Sequence, residues 1–196
     1  MLYTLTEPVT YQEEIKKSRF LVFAGPVDSP AAALAFLTQG SNPEATHNCW
    51  AYRVGSEYRF NDDGEPGGTA GRPILQAIDG QQCDRVAVLV VRWFGGIKLG
   101  PGGLIRAYGG SAAQCLRLAQ KTALVDEIMA DCHCPFADLA LVQSRFTAYG
   151  ARVVDEDFDE HGVRWRLAVP AQQAEELVQT IVNLTRGQAY WKTDTA

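Results

Sequence analysis

The chain has 196 residues, a net charge of −5, 46% apolar and 21% charged residues, which is ordinary globular composition. No apolar run approaches the roughly 20 residues needed to cross a bilayer. The opening MLYTLTEPVTYQEEIKKSRF has no basic segment ahead of an apolar core, so neither a membrane span nor a secretory leader is expected. Five scattered cysteines, an odd number, argue against a disulfide framework and agree with a reducing, cytoplasmic setting. The charge is uneven: residues 1–121 carry a balance of +1 and residues 122–196 a balance of −6. A generally basic nucleic-acid binder is therefore excluded, and any anion site must be a local patch in the first part.

In chain order, YQEEIKK and FLVFAGPV read as two strands around a polar turn at Ser18-Arg19. Ser29-Pro30 starts a helix that Gly40 stops. Asn48–Val54 and Glu57–Phe60 form a hairpin across Gly55-Ser56. Thr69 is placed to cap a helix over Ala70–Ile78, with Pro73 tolerated near its start. The run Arg85–Trp93, rich in valine, has the pattern of a strand buried on both faces. A long helix over Leu104–Lys121 follows. The charge balance changes sign at Lys121-Thr122, which suggests domains of 1–121 and 122–196. Beyond it come a strand over Ala123–Cys134, a helix over Phe136–Tyr149 and a hairpin of Arg152–Phe158 with Val163–Val169. A helix over Pro170–Thr185 and a short strand over Gln188–Lys192 complete a β-α-β-β-α-β order, the ferredoxin-like arrangement.

Two glycine-rich loops flank the valine-rich strand. The second, FGGIKLGPGGLIRAYGG, follows a strand and precedes a helix, a geometry that points free backbone N–H groups and the positive helix end at an anion. It is not a P-loop, because Gly95 to Gly100 is followed by Pro101-Gly102, nor a dinucleotide fingerprint, because Ile105 takes the final glycine position. What survives is a generic anion site in which Arg92, Lys98 and Arg106, with the backbone of Gly95, Gly96, Gly102 and Gly103, hold a phosphate or a nucleic-acid backbone. The alternative is that these glycines only allow close packing. The first loop, NDDGEPGGTAGRP, gathers Asp62, Asp63 and Glu65. Carboxylates ahead of a helix serve as caps and dipole partners; a divalent cation is the functional alternative. A third possibility is that the acidic and basic loops pair with each other.

His47, Asp62, Asp63 and Glu65 are the candidates if the chain is an enzyme, arranged around a small phosphorylated substrate or a metal. His47-Asn48-Cys49 on a strand leaves side chains parallel, an unfavourable start for a Cys/His pair. Cys132-His133-Cys134 lacks the two-residue spacer of a zinc knuckle and reads as packing. Ser111 lacks a nucleophile elbow. No cofactor motif and no metal-ligand set is found.

The blocks KKSRF at 16–20, ATHNCWAY at 45–52, FNDDGEPGGTAGRPIL at 60–75 and VVRWFGGIKLGPGGLIRAYGGS at 90–111 resemble the YigZ/IMPACT family, in order and with compatible spacing. The resemblance covers about residues 11–121. It implies a first domain like the second domain of ribosomal protein S5, also seen in elongation factor G, followed by a ferredoxin-like domain like that factor's last one. Such a pair implies contact with RNA, the ribosome or a translation-related protein, by analogy of fold. Eukaryotic members of the family are linked with translational control through a protein partner. The family supplies no established catalytic residues. Because residues 122–196 are acidic, any nucleic-acid contact is expected in the first domain or at a junction. The expected function is that of a cytoplasmic, non-enzymatic binding protein acting on translation, with a small phosphorylated ligand as the alternative.

Overall fold

The computed structural model describes residues 1–193. Contacts divide the chain into two compact units, Met1–Leu124 and Val125–Ala196. In the first, β1 (Tyr3–Leu5), β2 (Val9–Ile15), β3 (Ser18–Pro26), α1 (Pro30–Gly40), β4 (His47–Val54), β5 (Glu57–Asn61), α2 (Gly71–Gly80), β6 (Val86–Trp93), α3 (Pro101–Leu118) and β7 (Lys121–Ala123) follow in order. A five-stranded sheet runs β2-β3-β6-β4-β5, every neighbouring pair antiparallel. The short β1 pairs with β7, which the sequence had not marked.

The central strand is the one that the valine run predicts. Val86 to Val91 are all fully buried. Val86, Val88 and Val90 pack with Phe20, Val22, Cys49, Ile74 and Tyr108 under α2 and α3. Ala87, Leu89 and Val91 pack with Ala33, Leu37 and Tyr52 under α1. Alternation along a strand places successive side chains on opposite faces, so one strand serves two cores. The start of α1 follows its sequence signal: the Ser29 hydroxyl accepts from Ala32 N–H, with proline at the first helical position.

The second unit contains β8 (Glu127–Pro135), α4 (Leu139–Ala148) after a 3-10 turn at Phe136–Asp138, β9 (Arg152–Phe158), β10 (Gly162–Pro170), α5 (Ala174–Leu184) and β11 (Tyr190–Thr193). Its sheet order is β11-β8-β10-β9, all antiparallel. Val163, Trp165, Leu167 and Val169 of β10 form the core with Cys132, Cys134, Phe146, Leu177 and Ile181. The whole is α+β, an S5 domain 2-like layer followed by a ferredoxin-like βαββαβ domain.

Several boundaries differ from the sequence expectation: Ser18-Arg19, expected as a turn, opens β3, and the helix expected over Leu104–Lys121 runs from Pro101 to Leu118, with Lys121 already in β7. The strand expected over Ala123–Cys134 is two strands, since β7 leaves with β1 and β8 starts afresh at Glu127. Pro170 ends β10 opposite Glu127 instead of opening the next helix. A proline is tolerated at a strand end, where its missing N–H costs little. His133 points away from the core and meets the Asp159 carboxylate at 3.1 Å, while Cys132 and Cys134 are buried, in line with the packing reading. Hydrogen bonds from the His161 backbone, and then from His133 and the Gly162 backbone, hold the Asp159 carboxyl below the usual range. Among the described residues no helix is long and apolar enough to cross a membrane.

Candidate functional site

Strand pairing brings one set of element ends together in the first unit. His47 opens β4 opposite Arg92 near the end of β6, and Phe20 at the start of β3 lies opposite Arg92 on its other side. The acidic loop leaves β5 at this end, and α3 starts here after the basic loop. Between the two loops lies a cleft of about 380 Å³, lined by Thr46, His47, Glu65, Pro66, Arg92, Phe94 and Lys98, with Leu99 to Pro101 and Leu104 closing the apolar side. The two glycine-rich loops thus line one cleft.

Its floor is an ion pair. Arg92 Nη1 donates to Glu65 Oε1 at 2.5 Å, and the two side chains are only 5% and 4% exposed. The Tyr108 hydroxyl donates to the same oxygen at 2.7 Å. Arg92 Nη2 reaches the Ser18 hydroxyl at 3.3 Å, which also accepts from Gly95 N–H. Arg92 was expected as an exposed phosphate contact; it is instead a buried cation committed first to Glu65. Its Nε is sealed from solvent and has no acceptor among the described residues. Thr46 Oγ1 accepts from Phe94 N–H and so fixes the start of the basic loop.

His47 stands above this floor. Its Nδ1 lies 2.7 Å from the Asp63 carbonyl, and since a carbonyl only accepts, Nδ1 carries a proton. Its Nε2 faces Glu65 Oε1 at 3.7 Å. Cys49, two residues on, lies under the loop with its thiol 3.0 Å from the Asp62 carbonyl. Burial pushes that thiol up to about 12, so it is a packing group and not a thiolate nucleophile. Burial, followed by the proximity of Cys49, likewise pushes the Tyr108 phenol above its ordinary range.

The other two acidic residues are taken up by backbone. Asp62 accepts from Ala70 and Gly71 N–H through Oδ1 and from Gly68 N–H through Oδ2, at 2.8 to 3.0 Å. Asp63 Oδ2 accepts from Asn48 N–H at 2.5 Å. Thr69 was expected to cap α2; its hydroxyl instead donates to the Pro66 carbonyl, and a carboxylate eight residues upstream caps the helix. Replacing Asp62 by alanine is expected to destabilise the first unit by about 1–2 kcal/mol, the range for a lost N-cap. A urea midpoint for Asp62→Ala equal to that of the parent chain would show the cap to be idle.

The basic loop divides its roles. A Cβ on Gly95 would overlap the Lys17 carbonyl, and Gly100, the residue before α3, has φ +71°, so both positions demand glycine for packing or conformation. Gly96, also at positive φ, turns the loop. Gly102 and Gly103 lie in the first turn of α3, which has no side-chain cap. Pro101 has no N–H and Leu104 N–H donates to the Gly100 carbonyl, so the first-turn N–H groups without an intrahelical partner are those of Gly102 and Gly103, and the positive end of the helix dipole lies near Lys98. Lys98 is exposed; Arg106 is exposed too, one turn along α3 and outside the cleft wall. Lys16, Lys17 and Arg19 at the β2–β3 turn are also exposed, with the Arg19 guanidinium 3.7 Å from the centre of the Trp93 ring.

Tyr108 and Ser18 are the groups that sequence reading missed. Tyr108 lies inside the span read only as a long helix, Leu104–Lys121, and Ser18 was read as a turn residue. Their presence within the blocks RAYGG and KKSRF was the available signal.

With this geometry in view, the chain was compared with known proteins. The model of the Impact N-terminal domain matches residues 16–116, and a model described as a domain of unknown function matches residues 132–188. A Thermus thermophilus protein called IMPACT family member in pol 5′ region is 46% identical over 177 residues, 90% of this chain and 98% of that one. The Escherichia coli IMPACT family member YigZ is 35% identical over 190 residues, covering 92% and 91%. A solved structure described as a hypothetical protein superposes with a TM-score of 0.67 at 32% identity, covering 97% of this chain and 95% of the other.

Proposed function

The chain belongs to the IMPACT family, and from that membership and the cleft we propose that it is a cytoplasmic, non-enzymatic binding protein that acts on translation by contacting RNA. The single observation that carries this is the uncapped N-terminus of α3 set beside Lys98 in a cleft with a half-exposed aromatic ring, Phe94, at 46% exposure. A phosphate fits the helix end and the lysine. A base fits the ring and the apolar wall of Leu99, Pro101 and Leu104. Lys16, Lys17 and Arg106 are exposed on the same unit and supply further phosphate contacts outside the cleft. Residues 122–196 carry a charge balance of −6, which disfavours a phosphate chain there.

The experiment is RNA binding as a function of salt. Single-stranded RNA is expected to bind with a log–log salt slope that falls by about 0.7 for each phosphate contact removed. Lys98→Ala and Arg106→Ala are each expected to weaken binding and flatten the slope. RNA binding that is absent, or indifferent to both substitutions, removes this assignment.

A second reading has its own observation. The charges of Arg92 and Glu65 offset each other on the floor, and the concavity of about 380 Å³ is in the range of small-ligand sites. A small phosphorylated ligand then takes the place of the nucleotide unit. Saturable binding of a mononucleotide without binding of longer RNA would favour it.

A further inference from the structure

We infer that the free edge of β9 takes up an extended, basic segment of a partner protein as a fifth strand of the second sheet, a role separate from the RNA contact proposed for the first unit. The sheet order β11-β8-β10-β9 leaves β9 paired on one side only. All seven of its residues are exposed, among them Val153, Val154 and Phe158 at 37%, 49% and 56%. The hairpin fixes which of its peptide groups face outward. Asp159 N–H donates to the Gly162 carbonyl at 3.0 Å, and hydrogen-bonded pairs alternate along an antiparallel ladder. The backbones of Asp157 and Asp155 therefore bond to those of Arg164 and Arg166, and the N–H and C=O groups of Glu156 and Phe158 point to the open side. The register shifts between Arg166 and Leu167, so the irregularity lies at the far end and Asp155–Phe158 remains a regular edge. A regular, unpaired edge is a template for another strand.

Alternation and charge define the occupant. Asp155 and Asp157 share a sheet face with Arg164 and Arg166, because side chains opposite one another lie on the same face. Phe158 shares the other face with Val163 of the core, and Phe136 stacks on it at 6.4 Å with both rings more than half exposed. Over residues 152–160 one arginine stands against five carboxylates. Arg164 and Arg166 lie 3.8 Å from Asp159 and 2.9 Å from Asp131, and across 152–166 carboxylates still outnumber arginines five to three. Like charges brought side by side oppose pairing of two copies through β9, while the same charges favour a strand that carries lysine or arginine. The segment that fits alternates basic residues, beside Asp155 and Asp157, with apolar residues beside Phe158 and Phe136.

The test uses three synthetic peptides: a heptapeptide of alternating lysine and valine, the same composition with lysines and valines in separate blocks, and the alternating peptide N-methylated on its pairing amides. Fluorescence anisotropy reads binding to the full chain, and NMR amide exchange reads Glu156 and Phe158. The alternating peptide is expected to bind about tenfold or more tightly than either control, since it alone combines the alternation with free amides. It is also expected to slow exchange at both reporter amides. Asp157→Lys, a change at an exposed residue, is expected to weaken its binding about threefold or more through like-charge repulsion. Equal, salt-sensitive binding of all three peptides would mean bare charge attraction and overturns the inference, as does no binding of any. A chain that dimerises in sedimentation, with the Glu156 and Phe158 amides already protected without peptide, gives the edge to a second copy and overturns it as well.

Discussion

Glu65→Ala is expected to destabilise the first unit by about 3–5 kcal/mol, the range for removing one partner of a buried ion pair. The reason is the position of Arg92, whose side chain is 5% exposed. Without Glu65 the guanidinium keeps its charge, because arginine does not deprotonate in proteins, and Tyr108 loses its acceptor as well. The prediction includes its own cycle. Arg92→Met with Glu65→Leu removes both charges, and such replacements are often neutral or stabilising. The double variant is therefore expected to recover most of the lost stability in urea unfolding. A single-variant change below about 1 kcal/mol would mean that water reaches the floor and solvates Arg92.

Gly95→Ala is expected to be comparably damaging, with a loss of about 3 kcal/mol or more, at or beyond the upper end of ordinary overpacking. The added methyl would fall far inside van der Waals contact with the Lys17 carbonyl oxygen and 2.6 Å from Ser18 N. Those are backbone atoms, which a rotamer change cannot move. They also belong to a turn in which Lys16 and Lys17 already sit at φ 48° and 65°, a region that costs about 1–2 kcal/mol per residue without glycine. Gly110→Ala is the matched control. It lies within α3 with nothing inside 4 Å of the new methyl, and is expected to stabilise by about 0.5–1 kcal/mol. Equal melting temperatures for Gly95→Ala and the parent chain would rule out the close approach.

Much of the fold was legible in the sequence because its strongest signals are local. The valine run gave the central strand, Ser29-Pro30 the start of α1, and the element order of the C-terminal part its ferredoxin-like topology. What could not be read was set by contacts distant in sequence. The cap of α2 was credited to the adjacent Thr69, but the carboxylate doing the capping comes from Asp62, folded back by the loop. Arg92 looked like a surface cation since charged residues seldom end a buried strand, and only its pairing with Glu65, 27 residues away, reverses that expectation. The possibility that the acidic and basic loops pair was open in the sequence; the pairing falls to one residue from the acidic loop and one from the end of β6.

The same ion pair bears on how the central strand finds its place. The run from Val86 to Val91 is almost self-similar. Slipped by one residue, Val86, Val88 and Val90 would exchange faces with Ala87, Leu89 and Val91, apolar for apolar, at little loss of burial. Such a slip would also carry Arg92 to the α1 face, away from Glu65. A slip of two residues would keep the face and displace the guanidinium by on the order of 7 Å. Degenerate hydrophobic text is thus punctuated by a single charge, and the cleft floor doubles as the mark that tells the folding chain where the strand must stop.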